Sequence, residues 1–385
     1  MTTTETDNAE EDTVTATISP LTPGGEPEPE WSQRWRRQRR WILAGVIAGV
    51  VVAIVVGGFV IRVPKVAFRP GGVQATSGLV VVQGTDTFES NGEIFYTTVQ
   101  IPRLTLWEWL WFDNFDDAVD VFPEEDVFGA QTPLETQLCN AQMMRTSKSS
   151  ATLVALDSLG YEPISPSGAV IERVFDDTPA DRVLACGDVI VAVGTTPVTT
   201  SRELRDAVIG KGPGEVISVE VEDFDGGVRT EEIVLGDNGE GDGFLGVSTG
   251  TRFDQNELPF DVAIDTGDVG GPSAGLAFTL AILDTLTEGD LTGGAEVAVT
   301  GTIRIDGSVG PVGGIRQKVI AADRAGADRF LFPVQPGCED VALECPRDEI
   351  YASAGDMELV EVSTLDEALT ALRESGGDPL PPVDV

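Results

Sequence analysis

The run Trp41–Ile61, WILAGVIAGVVVAIVVGGFVI, holds 21 residues without a charge. At about 1.5 Å per helical residue it reaches across a hydrocarbon layer of about 30 Å. A segment this apolar must sit in lipid or be cut away. Trp31–Arg40 just before it carries five arginines, and Arg62 closes the far side. Trp41 suits a membrane interface. A cleaved secretory leader is the competing reading, but the apolar part is long, residues 1–40 precede it, and no Ala-x-Ala site follows. The run therefore reads as a retained single-pass transmembrane helix over residues 41–61. The arginine cluster predicts that residues 1–40 stay cytoplasmic and that the chain from Arg62 faces outward from the cell membrane. Residues 1–30 hold eight acids and no bases, with many Thr, Pro and Gly, the composition of a disordered tail.

The outward part is strongly acidic. The whole chain of 385 residues has 25 Lys+Arg against 64 Asp+Glu, a net charge of −39. Removing five bases and eight acids leaves 20 and 56 from Arg62 onward, a net −36. That balance excludes nucleic acid as a partner and does not favour anionic lipid. Histidine is absent altogether, which excludes a Ser-His-Asp triad, a Cys-His pair and a His-ligated metal. No cofactor or metal site is expected. Cysteines stand at 139, 186, 338 and 345, all in a compartment that permits disulfides. Cys338 and Cys345 close a short loop and are expected to be bridged. Cys139 and Cys186 pair only if the fold brings their Cα atoms within about 7 Å, and spacing leaves this open.

Turn signals and periodicity divide the rest. Residues 63–160 form an extracytoplasmic N-terminal region with strands at Leu79–Val82 and Ile94–Ile101, and with helical spacing from Leu134 to Leu159 that ends at Gly160. Leu104–Phe115 is rich in aromatics. It reads as an element packed against its neighbours or as a membrane-facing patch close to the anchor. Residues 161–236 make a small βα module with a helix at Ser201–Ile209, capped by Thr200 or Ser201. Asp237–Gly243 reads as a flexible charged hinge, residues 244–373 as a final domain, and 374–385 as a disordered tail.

Gly168-Ala-Val-Ile, Thr178-Pro-Ala and Leu184-Ala-Cys-Gly-Asp-Val-Ile give residues 161–236 a resemblance to PDZ domains of the bacterial protease type. That resemblance implies capture of a peptide strand on a sheet edge. It puts the docking residues at Gly160, Tyr161, Ile164 and Gly168, although Gly160–Ser167 departs from the usual Gly-Leu-Gly-Phe wording. The competing reading is a spacer that shapes the mouth of another domain.

Chemistry concentrates at two places. Gly271-Pro-Ser-Ala-Gly275 leads into the apolar stretch 276–286, so Ser273 is expected at a helix N-terminus where backbone amides favour developing negative charge. A helix packed through small residues, with Ser273 as a mere cap, is the plainer reading. Lys318 is the only lysine from residue 246 to the end, in a chain with four lysines (65, 148, 211, 318) and 21 arginines. A desolvated lysine can lose its proton and an arginine cannot. Lys318 falls beside the apolar stripe Ile315, Val319, Ala322 of a helix predicted over 315–325.

These segments resemble the proteolytic domain of Lon, the endopeptidase La family. The matches are Gly-Pro-Ser-Ala-Gly at 271–275, Thr-Gly at 300–301, Gly-x-Val-x-Pro-Val-Gly-Gly at 307–314 and Lys-Val-Ile-Ala-Ala-x-Arg-Ala-Gly at 318–326. The resemblance implies an α+β fold in which Ser273 is the nucleophile, Lys318 its base and Thr300 the residue that orients the lysine. Amides around Gly271, Pro272 and Ala274 would then hold the oxyanion. The wording departs at Gly270-Gly271, where Lon carries a basic residue and Asp. No Gly-x-x-x-x-Gly-Lys-Ser/Thr motif occurs in these 385 residues, so the order anchor, extended region, PDZ module, Lon-type domain resembles the membrane-anchored PDZ-containing Lon-like serine proteases of bacteria. The expected activity is ATP-independent cleavage of unfolded or flexible extracytoplasmic polypeptides, and the resemblance implies a possible homo-oligomer. The alternative is a catalytically silent membrane adaptor.

Overall fold

The computed structural model describes residues 30–161, 165–223, 226–253, 258–334 and 347–381, with side chains from Arg34 onward. Two units, residues 1–58 and 59–385, are distinguished by their contacts. The first contains most of helix α1 (Glu30–Val60), in which Arg34–Val60 is long and apolar enough to cross a membrane. Its Val, Ile and Leu side chains are exposed on all sides of the helix. Uniform apolarity is what a helix in lipid requires.

The second unit contains α2 (Leu106–Phe115), α3 (Glu124–Phe128), α4 (Pro133–Ser158), α5 (Ser201–Ile209), α6 (Gly275–Leu286), α7 (Ile315–Ala325), α8 (Arg347–Ala352) and α9 (Leu365–Glu374). Caps place the starts. Thr105, Thr132 and Thr200 each close a capping box with a glutamate three residues on. Gly160, at φ 78°, follows the end of α4 as its spacing predicts.

A seven-stranded mixed sheet has the order Glu358–Val362, Arg329–Pro333, Glu296–Val299, Glu93–Gln100, Arg62–Ala75, Arg103–Thr105, with Asp120–Pro123 also paired to Arg62–Ala75. Glu296–Val299 runs parallel to both neighbours, with Val297 opposite Ile94 on one side and Arg329 on the other. A second ladder joins Val80–Gln83 to Asp261–Ile264. Residues 63–160 are thus not a separate region ahead of the last domain; they supply half of its sheet. The cause lies in α6, whose residues Gly275–Leu283 are all buried. A helix apolar all round needs cover on every side. Tyr96, Met144, Ala151 and Val154 from the N-terminal region join Leu276, Phe278, Leu280, Leu331 and Leu372 in one core.

Between these halves sits a six-stranded antiparallel sheet in the order Val228–Val234, Val216–Glu222, Val189–Val193, Pro166–Val174, Val247–Phe253, with Thr196–Pro197 on Val189–Val193. Its own core includes Ile171, Ile190, Leu204 and Val219. Val247–Phe253 extends this module past residue 236, because it pairs along the whole of Pro166–Val174. The segment 237–243 is an ordered turn rather than a loose hinge. Asp237 Oδ1 accepts from the amides of Gly239 and Gly241, and Asn238 Oδ1 from those of Glu240 and Asp242. The tail is also tied down: Asp378 and Asp290 exchange two hydrogen bonds, and Leu380 packs on the core.

Cys139 on α4 and Cys186, just ahead of Val189, form a disulfide with Cα atoms 5.2 Å apart. Cys338 and Cys345 lie outside the described residues. Closing a loop of 47 residues' separation restricts the unfolded chain by about 4 kcal/mol in the chain-entropy picture. Cys139→Ser with Cys186→Ser is expected to lower stability by about 2–4 kcal/mol, read as a lower urea midpoint for unfolding than in the oxidised parent.

Candidate active site

The segment Asp265–Ala274 carries Ser273 between the strand Asp261–Ile264 and α6. Ser273 lies two residues before Gly275, where the helix starts, and Ala274 between them occupies its N-cap position. Each glycine around it has a steric reason. Gly271 has φ 90°, a conformation open to glycine. A Cβ on Gly275 would come 2.9 Å from the backbone nitrogen of Ile303 and 3.0 Å from Ser147 Oγ. A Cβ on Gly270 would come 2.8 Å from Cβ of Asn140. The departure at Gly270 is therefore matched by a close approach of α4.

That helix holds the loop from behind. The Gly271 amide donates to the Asn140 carbonyl at 2.8 Å, and Ser147 Oγ donates to the Pro272 carbonyl at 3.0 Å. Gly271 is thus spent on α4, and Pro272 has no N–H to give. The amides of Ser273 and Ala274 have no hydrogen-bond partner among the described residues. The expected stretch of oxyanion donors narrows to these two.

Opposite lies Thr300, fully buried at the end of the strand Glu296–Val299. Its hydroxyl donates to the Ser273 carbonyl at 3.0 Å, and the Gly301 amide donates to the same oxygen at 2.8 Å. Lys318, on the first turn of α7, is 2% exposed and donates from Nζ to Thr300 Oγ1 at 2.9 Å. The proton of Thr300 already points to Ser273, so toward the lysine this hydroxyl can only accept. No carboxylate pairs with Lys318 among the described residues, and burial pushes its amine down to about 7. The structure therefore brings Ser273, Thr300 and Lys318 into one chain of contacts. Ser273 Oγ and Lys318 Nζ share no direct hydrogen bond among the described residues; the link runs through Thr300 and the Ser273 carbonyl.

The first turn of α7 is fixed from the N-terminal half as well. Arg316 and Gln317 both bind the Asp120 carboxylate at 2.5 Å, and Arg316 also reaches the Asp117 carbonyl at 2.7 Å. Asn140, Ser147 and Asp120 escaped the sequence reading. The one available signal was the run Thr146-Ser-Lys-Ser-Ser150, small polar residues on what became a buried face of α4.

The PDZ-side predictions are not brought together. Gly160 and Tyr161 close the end of α4, with the Tyr161 ring 5.3 Å edge-on to Phe260. Ile164 lies outside the described residues. Gly168 is interior to the sheet, opposite Arg252 on one side, with Val189 Cγ1 filling its Cβ space on the other. Both flanks of Pro166–Val174 are occupied, so that strand offers no edge. The outer strand beside a helix is Val247–Phe253: Ser201 at the start of α5 bonds to the Thr249 carbonyl and to Thr251 Oγ1. Leu245-Gly246, with Gly246 at φ 87°, turns the chain into it.

Residues 250–374 match the Lon protease (S16) C-terminal proteolytic domain, and residues 142–231 match the PDZ domain. Similar proteins include the Lon protease of Phenylobacterium zucineum, 35% identical over 135 residues (35% of this chain, 15% of that one). The Lon protease of Clostridioides difficile is 39% identical over 108 residues, 28% of this chain and 13% of the relative. The peroxisomal Lon protease homolog 2 of Xenopus laevis is 39% identical over 108 residues, 28% and 11%. The chain spans between 11% and 15% of these relatives' lengths. Among solved structures, the PDZ domain of the SdrC-like protein from Listeria innocua aligns at 23% identity and a TM-score of 0.20, covering 21% of this chain and 92% of that one.

Lys318 also leaves a signature in stability. The unfolded chain keeps its proton until a pH near 10, while the folded chain releases it near 7. Folding expels a proton between these values, so stability rises with pH by up to about 1.4 kcal/mol per unit. Lys318→Met is expected to flatten this rise and to be more stable than the parent at pH 7, measured as urea midpoints from pH 6 to 10. Together the matched segments and the two sheets show a chain that joins a PDZ domain to a Lon-type proteolytic domain.

Proposed function

We propose that this protein is a membrane-anchored serine endopeptidase that cleaves unfolded or flexible polypeptides outside the cytoplasm without ATP, with Ser273 as nucleophile and Lys318 as base. The observation that carries this reading is the buried Lys318 amine, hydrogen-bonded to Thr300 and unpaired with any acid among the described residues. Its neutral form has two N–H bonds and one lone pair. One N–H is given to Thr300, which leaves the lone pair to take the Ser273 proton.

As Ser273 Oγ attacks a peptide carbonyl, its proton passes to Lys318. The resulting oxyanion is received by the amides of Ser273 and Ala274. Collapse breaks the C–N bond, and Lys318 gives its proton to the departing amine. Water then attacks the ester, with Lys318 again taking and returning a proton, and releases the acid. The open edge of Val247–Phe253 beside α5 would dock a substrate strand through backbone hydrogen bonds. Thr146 of α4 lies against Gly250 of this strand, and the next residue, Ser147, holds the Pro272 carbonyl, so a polypeptide docked there would lie near the loop bearing Ser273.

The test uses the full chain in detergent micelles with a reduced, carboxymethylated protein as substrate and no nucleotide. Cleavage is expected in the parent, rising with pH about a midpoint near 7 as Lys318 sheds its proton. Ser273→Ala and Lys318→Arg are each expected to lose about 10³-fold or more. Unchanged turnover in either variant eliminates the dyad. An inert parent that still binds peptides favours the adaptor.

A further inference from the structure

Helix α2 is apolar on two opposite sides, and on one of them large side chains stay exposed. Trp109 and Phe112 pack on Ala67, Leu104 and Val119. At 100° per residue, Trp107, Leu110, Trp111, Asn114 and Phe115 share the opposite face. On that face Leu110 is 37%, Trp111 59% and Phe115 72% exposed, and the Trp111 and Phe115 rings lie 5.2 Å apart. Large aromatics on an exposed helix face need a second partner.

The position of the helix says which partner. Thr105, its N-cap, is paired with Arg62, the first residue after the apolar run. The Leu106 amide donates to the carbonyl of Ile61, the last residue of that run, at 2.9 Å. If Trp41–Ile61 crosses the bilayer, the first turn of α2 is pinned at the level where the chain leaves the hydrocarbon. A helix of ten residues extends only about 15 Å from there. Trp and Phe gain most at that boundary, where rings reach the acyl chains and polar edges stay wet. At the helix start Glu108 is tied to Thr105, and the Arg62 and Arg69 charges stand near its carboxylate. Asp113, Asp116 and Asp117 gather at the far end, so charge gives this face no attraction to lipid.

We infer that Leu110, Trp111 and Phe115 insert into the outer interface of the bilayer, so that α2 is a second membrane contact that holds the proteolytic half against the lipid surface. This rests on the membrane-spanning reading of Trp41–Ile61, and aromatic burial rather than charge drives it. The partner is the lipid itself; a second copy of the chain is the competing occupant.

The photoreactive residue p-benzoylphenylalanine is placed at Trp111, at Val50 in the middle of the run, or at Val228, an exposed position on the outer PDZ strand. Each full-length protein is reconstituted into phosphatidylcholine vesicles and irradiated, and lipid adducts are measured by mass spectrometry. Positions 50 and 111 are expected to give roughly tenfold more lipid adduct than 228. Adduct at 50 with none above background at 111 overturns the insertion of α2 and leaves the span intact. A crosslink from 111 to a second protein chain overturns it in favour of self-association. Failure at 50 removes the span and this inference together, while the Ser273 activity measured in micelles stands or falls separately.

Discussion

An ammonium group shut away from water without a counter-ion is costly, and the candidate site depends on that cost. Lys318 is 2% exposed, and among the described residues its one polar side-chain contact is the hydroxyl of Thr300. A carboxylate nearby would stabilise the charged form. None pairs with Lys318 among the described residues, and Ile315, Val319 and Ala322 of the lysine's own helix pack into an apolar core.

That packing is distributed along the chain. The loop bearing Ser273 leans on α4 through Asn140 and Ser147, and the helix bearing Lys318 is fastened to Asp120. Both supports come from residues before the PDZ module. Strands Arg62–Ala75 and Glu93–Gln100 complete the sheet on which Thr300 sits. The PDZ module is an insertion in a proteolytic fold whose two parts are far apart in sequence.

Much of this could be read without coordinates. Helices α4, α5 and α7 appear where capping residues, periodicity and terminal glycines predict them. The pairing of Ser273 with Lys318 comes from the resemblance of their motifs to Lon, since a solitary lysine is no more than suggestive; in the structure both contact Thr300. The shared sheet was not, because a parallel pairing such as Val297 with Ile94 leaves no local trace in either strand. The docking edge was misplaced for a related reason. Pro166–Val174 looks like an available strand until Val247–Phe253, some eighty residues later, covers its flank. The bond from Asn140 to Gly271 was hidden because a backbone carbonyl carries no side-chain signature. The pairing of Cys139 with Cys186 needed the fold to bring α4 beside the PDZ sheet.

That disulfide has a mechanical consequence. Cys139 is the residue before Asn140, whose carbonyl grips the loop bearing Ser273. The PDZ module is already leashed at both of its ends, and this crosslink adds a third attachment one residue from the grip. The module cannot swing as a free pendulum on its leashes. Any displacement of it is passed to α4, the helix whose Asn140 carbonyl and Ser147 hydroxyl hold the loop bearing Ser273.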